Sequence, residues 1–436
     1  MRDLIILAIV IAGATIAIWR PWIGVLLWTW LSIMNPHRYA WGIAYDAPVA
    51  AIAAVSVLLG FLFTKYRQSP FQGTPVVIFL LFFLWMTLSW LMGYDTTGDY
   101  PQWDKVMKIY LMTFIALMLL NHKQKIIAFA WVTVMSLAIL GAKGGLFTVL
   151  TAGAHRVWGP AGSFIADNNH FALALIMTIP LLHFLQLQLR AGWARHAMTG
   201  MMLLCAAAAI GSHSRGALLA IAAMTAVLWW RSEKKLLLGL AITFMVLVFL
   251  PFMPEHWWER MRTILDYQED DSAMGRINAW IVAWEVAKHN LFGGGMSYQH
   301  ALYFSLYGVY ETVVRAAHSI YFQILGNHGF VGLLLYLLLW ITTYRSAAWL
   351  RKYGKAIPQA KWASDLGAMA QVSLVGFAVG GAFLSMPYFD LPYNIMVMVV
   401  LARKWVEMRA WETEKDISLM ELLSFKRKAV AKVPAA

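Results

Sequence analysis

HSIYFQILGNHGFVGLLLYLLLWITT, residues 318–343, runs without a single Asp, Glu, Lys or Arg. A helix needs only ~20 such residues to cross the hydrocarbon core of a bilayer. In lipid a lone segment must satisfy its own backbone N–H and C=O groups, which a helix does and an isolated strand does not. Residues 319–343 are therefore read as a transmembrane helix. The same reading extends outward along the chain to apolar runs at 4–19, 21–35, 46–64, 76–92, 104–120, 123–140, 169–189, 197–211, 216–231, 235–253, 363–385 and 391–408. The first two are short and split by Arg20-Pro21, so they form either a shallow hairpin or one broken span. The expectation is an all-α, polytopic membrane protein of about twelve transmembrane helices, with 1–436 forming a single integral-membrane domain.

Composition demands the same answer. The 436 residues are 61% hydrophobic and only 13% charged, and a soluble core stops growing well before it can hide that much apolar surface. The 22 Trp, 23 Phe and 17 Tyr suit interfacial belts. The net charge of +13 is not a nucleic-acid footprint. Most Lys and Arg lie in short loops and in the basic tail 409–436, as the positive-inside rule requires. The expected partners include membrane lipids and no nucleic acid. A single cysteine, Cys205, excludes an internal disulfide and a cysteine-based metal site. The first apolar run lacks a convincing cleavage site and is expected to stay as an anchor.

Alternation from the basic tail, taken as cytoplasmic, puts 385–390, 254–318, 211–215, 141–168 and 94–104 outside. It puts 345–361, 231–235, 190–195, 121–125 and 65–67 inside. The long segment 254–318 is the one large extramembrane loop, expected to be helical and to rest on the headgroups through Trp257 and Trp258. Within it Arg276, Trp280 and Trp284 recur at i, i+4 and i+8, which suggests a helix along the membrane surface that begins near Arg276. Three arginines fall outside against the rule: Arg156, Arg215 and Arg276. Ionisable groups that break the rule are where function is sought.

His318 opens the quoted span. On an ideal helix Gly329 and Gly332 would lie on its face, giving a tight helix seam with the imidazole at its mouth. An imidazole with a pKa near neutrality suits a general base. Arg215 sits in the small-residue turn Gly211-Ser212-His213-Ser214-Arg215-Gly216. Arg276 at a helix start would offer a guanidinium and backbone N–H groups to an anion together. Arg156 precedes a Gly-rich polar loop in which Asn168, Asn169 and His170 are read either as sugar contacts or as helix caps. Glu269-Asp270-Asp271 is read as a solvated turn rather than a metal site. No Walker, HExxH or GxSxG motif is present.

His318-Ser319, nine residues, Gly329, two residues and Gly332 resemble the signature of the O-antigen ligases. Ser214-Arg215-Gly216 and Gly275-Arg276 resemble that family's two arginine sites, one before its large loop and one inside it. The likeness to the O-antigen ligase/polymerase superfamily extends over most of the chain. It implies a membrane glycosyltransferase of GT-C-like class in the bacterial inner membrane, with its active site facing the periplasm. It also implies transfer of O-antigen polysaccharide from undecaprenyl pyrophosphate to a sugar hydroxyl of lipid A-core, inverting and without metal or other cofactor. His318, Arg215 and Arg276 are then the expected catalytic residues. Arg156, Asn169, His170, Ser214, Ser319, Tyr321 and Trp280 are the expected substrate contacts. The alternatives are an O-antigen polymerase or a protein O-oligosaccharyltransferase of the same superfamily. A lipid-linked glycan transporter, from another class, would be marked by internal repeats and broken helices at the midplane; no repeat is seen.

Overall fold

The computed structural model describes residues 1–231, 271–310 and 313–414, with isolated positions between 235 and 258. Most of the span expected at 235–253, the tail beyond 414, Trp257 and most of the acidic cluster lie outside the described residues. Among the described residues there is no strand. The helices are α1 (Arg2–Trp19), α2 (Pro21–Met34), α3 (Ile43–Asp46), α4 (Val49–Phe63), α5 (Thr74–Leu91), α6 (Thr96–Leu119), α7 (Lys123–Leu150) and α8 (Asn168–Gln188). They continue as α9 (Gly192–Gly211), α10 (Arg215–Arg231), α11 (Asp271–His289), α12 (Ala301–Tyr307), α13 (Ile320–Gly354), α14 (Lys361–Gly381) and α15 (Asp390–Glu407).

Seven of the described helices are long and apolar enough to cross a membrane, and Pro21–Met34, Val49–Phe63 and Arg215–Trp230 are shorter apolar helices. Two further helices are too charged to be counted with them. α6 carries Asp104, Lys105 and Lys108, and α15 carries Asp390, Arg403, Lys404 and Glu407. α15 is nonetheless the centre of the molecule, with every residue from Asp390 to Ala402 buried. A helix apolar on all sides has to be surrounded. The outer helices show the opposite pattern, with Leu58, Leu62, Leu84 and Leu88 exposed on α4 and α5, as a lipid-facing surface requires.

The N-terminal ambiguity resolves as a hairpin. Arg20, at φ −137° and ψ 75°, separates α1 from α2. A Cβ on Gly24 would lie 2.6 Å from the Ala17 Cβ, and one on Gly13 would lie 3.0 Å from Leu27. The two helices therefore return along each other with glycines at the contact.

The loops sort to two ends of the bundle. At one end Asn121 reaches the Tyr66 carbonyl, Glu414 accepts from the Lys123 N–H, and Trp362 packs on Trp405. These are loops that charge assigned to the cytoplasm. At the other end Asn168 donates to the Ser212 carbonyl at 2.6 Å, and the Met296 and Ser297 N–H groups donate to Asp99.

Two expectations for the late loop are corrected. α11 does not begin at Arg276: it runs from Asp271, so Arg276 lies within the helix and its backbone N–H is not an open helix end. Nor does α11 lie loose on a surface. Trp280 stacks on Phe322 at 4.9 Å and Trp284 meets Phe330 edge-on at 5.2 Å, so α11 descends alongside α13 in the same direction. Its Ala279, Val282, Ala283 and Val286 pack with Tyr298, Phe304 and Ala317 in a small core of their own.

α13 corrects a third. His318 is outside the helix, with φ 46°, and Gly329 is non-helical at φ 67° and ψ −172°. The two cannot share a helix face. The helix breaks because the loop after α11 docks there. Gly294 and Gly295 N–H groups donate to the Gly326 and Asn327 carbonyls, and the Trp85 indole donates to the His328 carbonyl at 2.8 Å. Each carbonyl freed by the break finds a donor, which is what a break at membrane depth requires. Broken helices were named as a transporter's mark; here the break is filled by the protein's own chain.

Candidate active site

The site forms where four segments meet. His318 occupies the link into α13, and its backbone is held in the left-handed region that β-carbon residues seldom occupy. Such strain persists only where neighbours impose it. One of those neighbours is Trp280, whose indole N–H donates to the Ala317 carbonyl at 2.7 Å. Arg276, one helical turn before Trp280, brings its guanidinium close enough to act on the imidazole. The third segment is the start of α8, where Asp167 and His170 act on His318 as well.

Electrostatics fix the protonation state. Burial pushes the His318 imidazole down to about 4, and the positive charges of Arg276 and His170 push the same way, against the opposing pull of Asp167. At neutral pH the ring is uncharged. Among the described residues no hydrogen bond engages it, so a lone pair is open to accept a proton. Burial of Asp167 raises its carboxyl, but hydrogen bonds from the Asn169 side chain and from the Asn169 and His170 N–H groups outweigh this and hold it below the usual carboxylate range. It stays ionised.

Asp167 is the residue that sequence reasoning passed over. It caps α8, accepting from the Asn169 N–H at 2.8 Å. The signal was present: an Asp directly before the polar start of an apolar run is an N-cap position. The capping assigned as one option to Asn168, Asn169 and His170 belongs to Asp167. Asn169 braces the cap with its own amide at 2.9 Å, and the His170 Nε2 is buried without a hydrogen bond among the described residues.

Arg215 reaches the same end through its turn. Asn168 holds the Ser212 carbonyl, and the His213 ring meets the Gly153 carbonyl at 3.0 Å. The buried Ser214 accepts from the Ala217 N–H and so caps α10. Arg215 is half-buried at the first position of that helix. Arg156 is exposed on the neighbouring loop, where the next residue's N–H bonds to the Gly211 carbonyl. Tyr321 donates to the Ala378 carbonyl at 2.8 Å, tying α13 to α14, and Ser319 is buried at the start of α13. Two further cations line the loop between Arg156 and Asp167: the Arg38 guanidinium lies against Gly162, and Lys105 Nζ sits 3.7 Å from the Phe164 ring centre.

Chemically, the arrangement joins a neutral, accessible imidazole to a fixed guanidinium, with a second arginine on an adjoining turn. It suits deprotonation of a hydroxyl beside an anion. Among the described residues no three His, Cys, Asp or Glu side chains gather to hold a metal.

Comparison with known proteins adds two matches. Residues 200–337 match the model of a family described as O-antigen ligase, and residues 1–191 match that of a family of unknown function. The first segment contains Arg215, Arg276, Trp280, His318, Ser319 and Tyr321; the second contains Arg156, Asp167, Asn169 and His170. No curated protein matches the chain.

Proposed function

We propose, on the premise that residues 200–337 carry the domain of the O-antigen ligase superfamily, that this membrane protein is an O-antigen ligase. It transfers a glycan from undecaprenyl pyrophosphate to a sugar hydroxyl of lipid A-core at the periplasmic face of the inner membrane. The observation that carries the reading is the His318 imidazole, uncharged beside the Arg276 guanidinium and, among the described residues, without a hydrogen bond.

In this reading the acceptor hydroxyl gives its proton to the His318 ring nitrogen as its oxygen attacks the anomeric carbon. The bond from that carbon to the diphosphate oxygen breaks on the opposite side, and the diphosphate departs with the electron pair. The configuration inverts. Charge accumulates on phosphate oxygens in the transition state, and Arg276 and Arg215 meet it with guanidinium forks that stay charged at any working pH. Arg156 and the loop cations beside Gly162 and Phe164 extend the positive surface. A neutral base beside cations is chemically consistent: the guanidinium that adds to burial in keeping the imidazole unprotonated is the one that receives the leaving group.

Reconstitution with an undecaprenyl-pyrophosphate glycan and purified lipid A-core tests the proposal. Lipid A-core that gains the glycan supports it. Lipid-linked chains that lengthen while the core stays bare would make the protein a polymerase.

A further inference from the structure

Asp390 opens α15, and its carboxylate is buried in the bundle. Ser32 on α2 donates its hydroxyl proton to Oδ1. Oδ2 is buried with no hydrogen-bond partner among the described residues. Asp390 lines a cavity of about 10 Å³, whose other polar side chains are Thr29, Thr113 and Asn394.

The hydroxyl protons around that cavity are already committed. Thr29 donates its hydroxyl to the Val25 carbonyl at 2.8 Å, and Thr113 donates to the Ile109 carbonyl at 2.9 Å. Neither threonine hydroxyl has a proton left for Oδ2, and both keep an oxygen able to ligate a cation. Asn394 lines the same cavity, and its amide oxygen is a further possible ligand. A buried carboxylate oxygen without a donor is costly unless a positive group enters. Lys105 acts on the carboxylate from a distance, but its ammonium is engaged at the Phe164 ring, 3.7 Å from the centre.

We propose that Asp390, Thr29, Thr113 and Asn394 bind one monovalent cation of the sodium class. Oxygen ligands suit a hard cation. One carboxylate balances a single positive charge, whereas a divalent ion would leave net charge buried in an apolar surround. The volume is about that of one 1.4 Å sphere, which holds a single small ion. Such an ion would join α15 to α2 and α6 at the centre of the fold. The site is independent of the transfer reaction proposed above.

The test is thermal unfolding of the detergent-purified full-length protein in NaCl against choline chloride at equal ionic strength. Sodium should raise Tm with a saturable dependence, and Asp390→Asn should abolish the rise. Thr113→Val, which keeps the shape and removes one oxygen, should raise the half-saturating sodium concentration roughly tenfold, a loss of ~1.4 kcal/mol. A wild-type Tm indifferent to sodium overturns the proposal and leaves Asp390 as a protonated acid. So does a sodium response that survives in Asp390→Asn. If Asp390→Asn does not fold, Thr113→Val decides: an unchanged sodium dependence there overturns the site.

Discussion

The Trp280 indole donates to the Ala317 carbonyl at 2.7 Å and so holds the backbone one residue ahead of His318. Trp280 was expected to touch substrate; the bond ties it to the backbone beside His318, so a positioning role is proposed for it as well. Trp280→Phe keeps the stack on Phe322 and removes only the N–H. Stability should fall by about 1 kcal/mol, the usual net value of one hydrogen bond. Turnover should fall more, by roughly 10- to 100-fold, because a small misplacement of a reacting group is costly. Steady-state kinetics should show the loss in kcat with donor KM nearly unchanged. An unchanged kcat would mean the backbone at 317 is held without this bond.

His318→Ala removes the proposed base while leaving the guanidinium of Arg276 in place. Glycan transfer should drop by ~10²–10⁴, and the purified variant should still bind the undecaprenyl-pyrophosphate glycan. Retained transfer at wild-type rate would assign the proton to another group. Loss of donor binding together with activity would make His318 part of the diphosphate site.

Much of this was legible in the sequence because each signal was local. Apolar runs marked helices, and several of the basic loops, those near Tyr66, Asn121 and Trp362, pack with the segment around Trp405 and Glu414. Arg215, Arg276 and His318 stood out as polar residues at span boundaries. What was not legible depended on chain packing against chain. Gly329 reads as a seam glycine on a continuous helix, and nothing near it announces that Gly294 and Gly295 will bond to the carbonyls before it. α11 reads as a surface helix because Trp280 and Trp284 look like headgroup anchors; only Phe322 and Phe330 give those rings a protein partner. Asp167 was hidden because its charge matters through His318, which is distant in sequence.

The charges around His318 predict opposite movements of the acid limb of kcat/KM. Activity requires the neutral ring, so it should be lost as pH falls through a value near 4, to which burial first, and then Arg276 and His170, lower the imidazole. Arg276→Gln removes a depressing charge, so the limb should move up toward the ordinary imidazole value of 6.5 without reaching it, since burial remains the larger cause. Asp167→Asn should move it down, because the one opposing charge is gone. Asn caps a helix as well as Asp does, so this variant should unfold near the wild-type temperature. Limbs that move together in both variants would refute the arrangement.

Gly329→Ala tests whether the break in α13 is required. At φ 67° and ψ −172° the backbone lies where residues with a β-carbon are strained, and the added Cβ would sit 2.3 Å from the Leu291 carbonyl oxygen. The oxygen cannot yield, because its loop is pinned through Gly294 and Gly295. The variant should lose more than ~1–3 kcal/mol of stability, seen as a lower Tm in detergent. Transfer should also fall, since the loop that docks at the break follows directly from the helix carrying Arg276 and Trp280. Gly200→Ala is the control: no atom lies within 4 Å of its added Cβ, and in a helix that change should be neutral or slightly stabilising. If α13 can close into a regular helix, Gly329→Ala will unfold at or above the wild-type temperature, and the docked loop will not be what keeps the helix open.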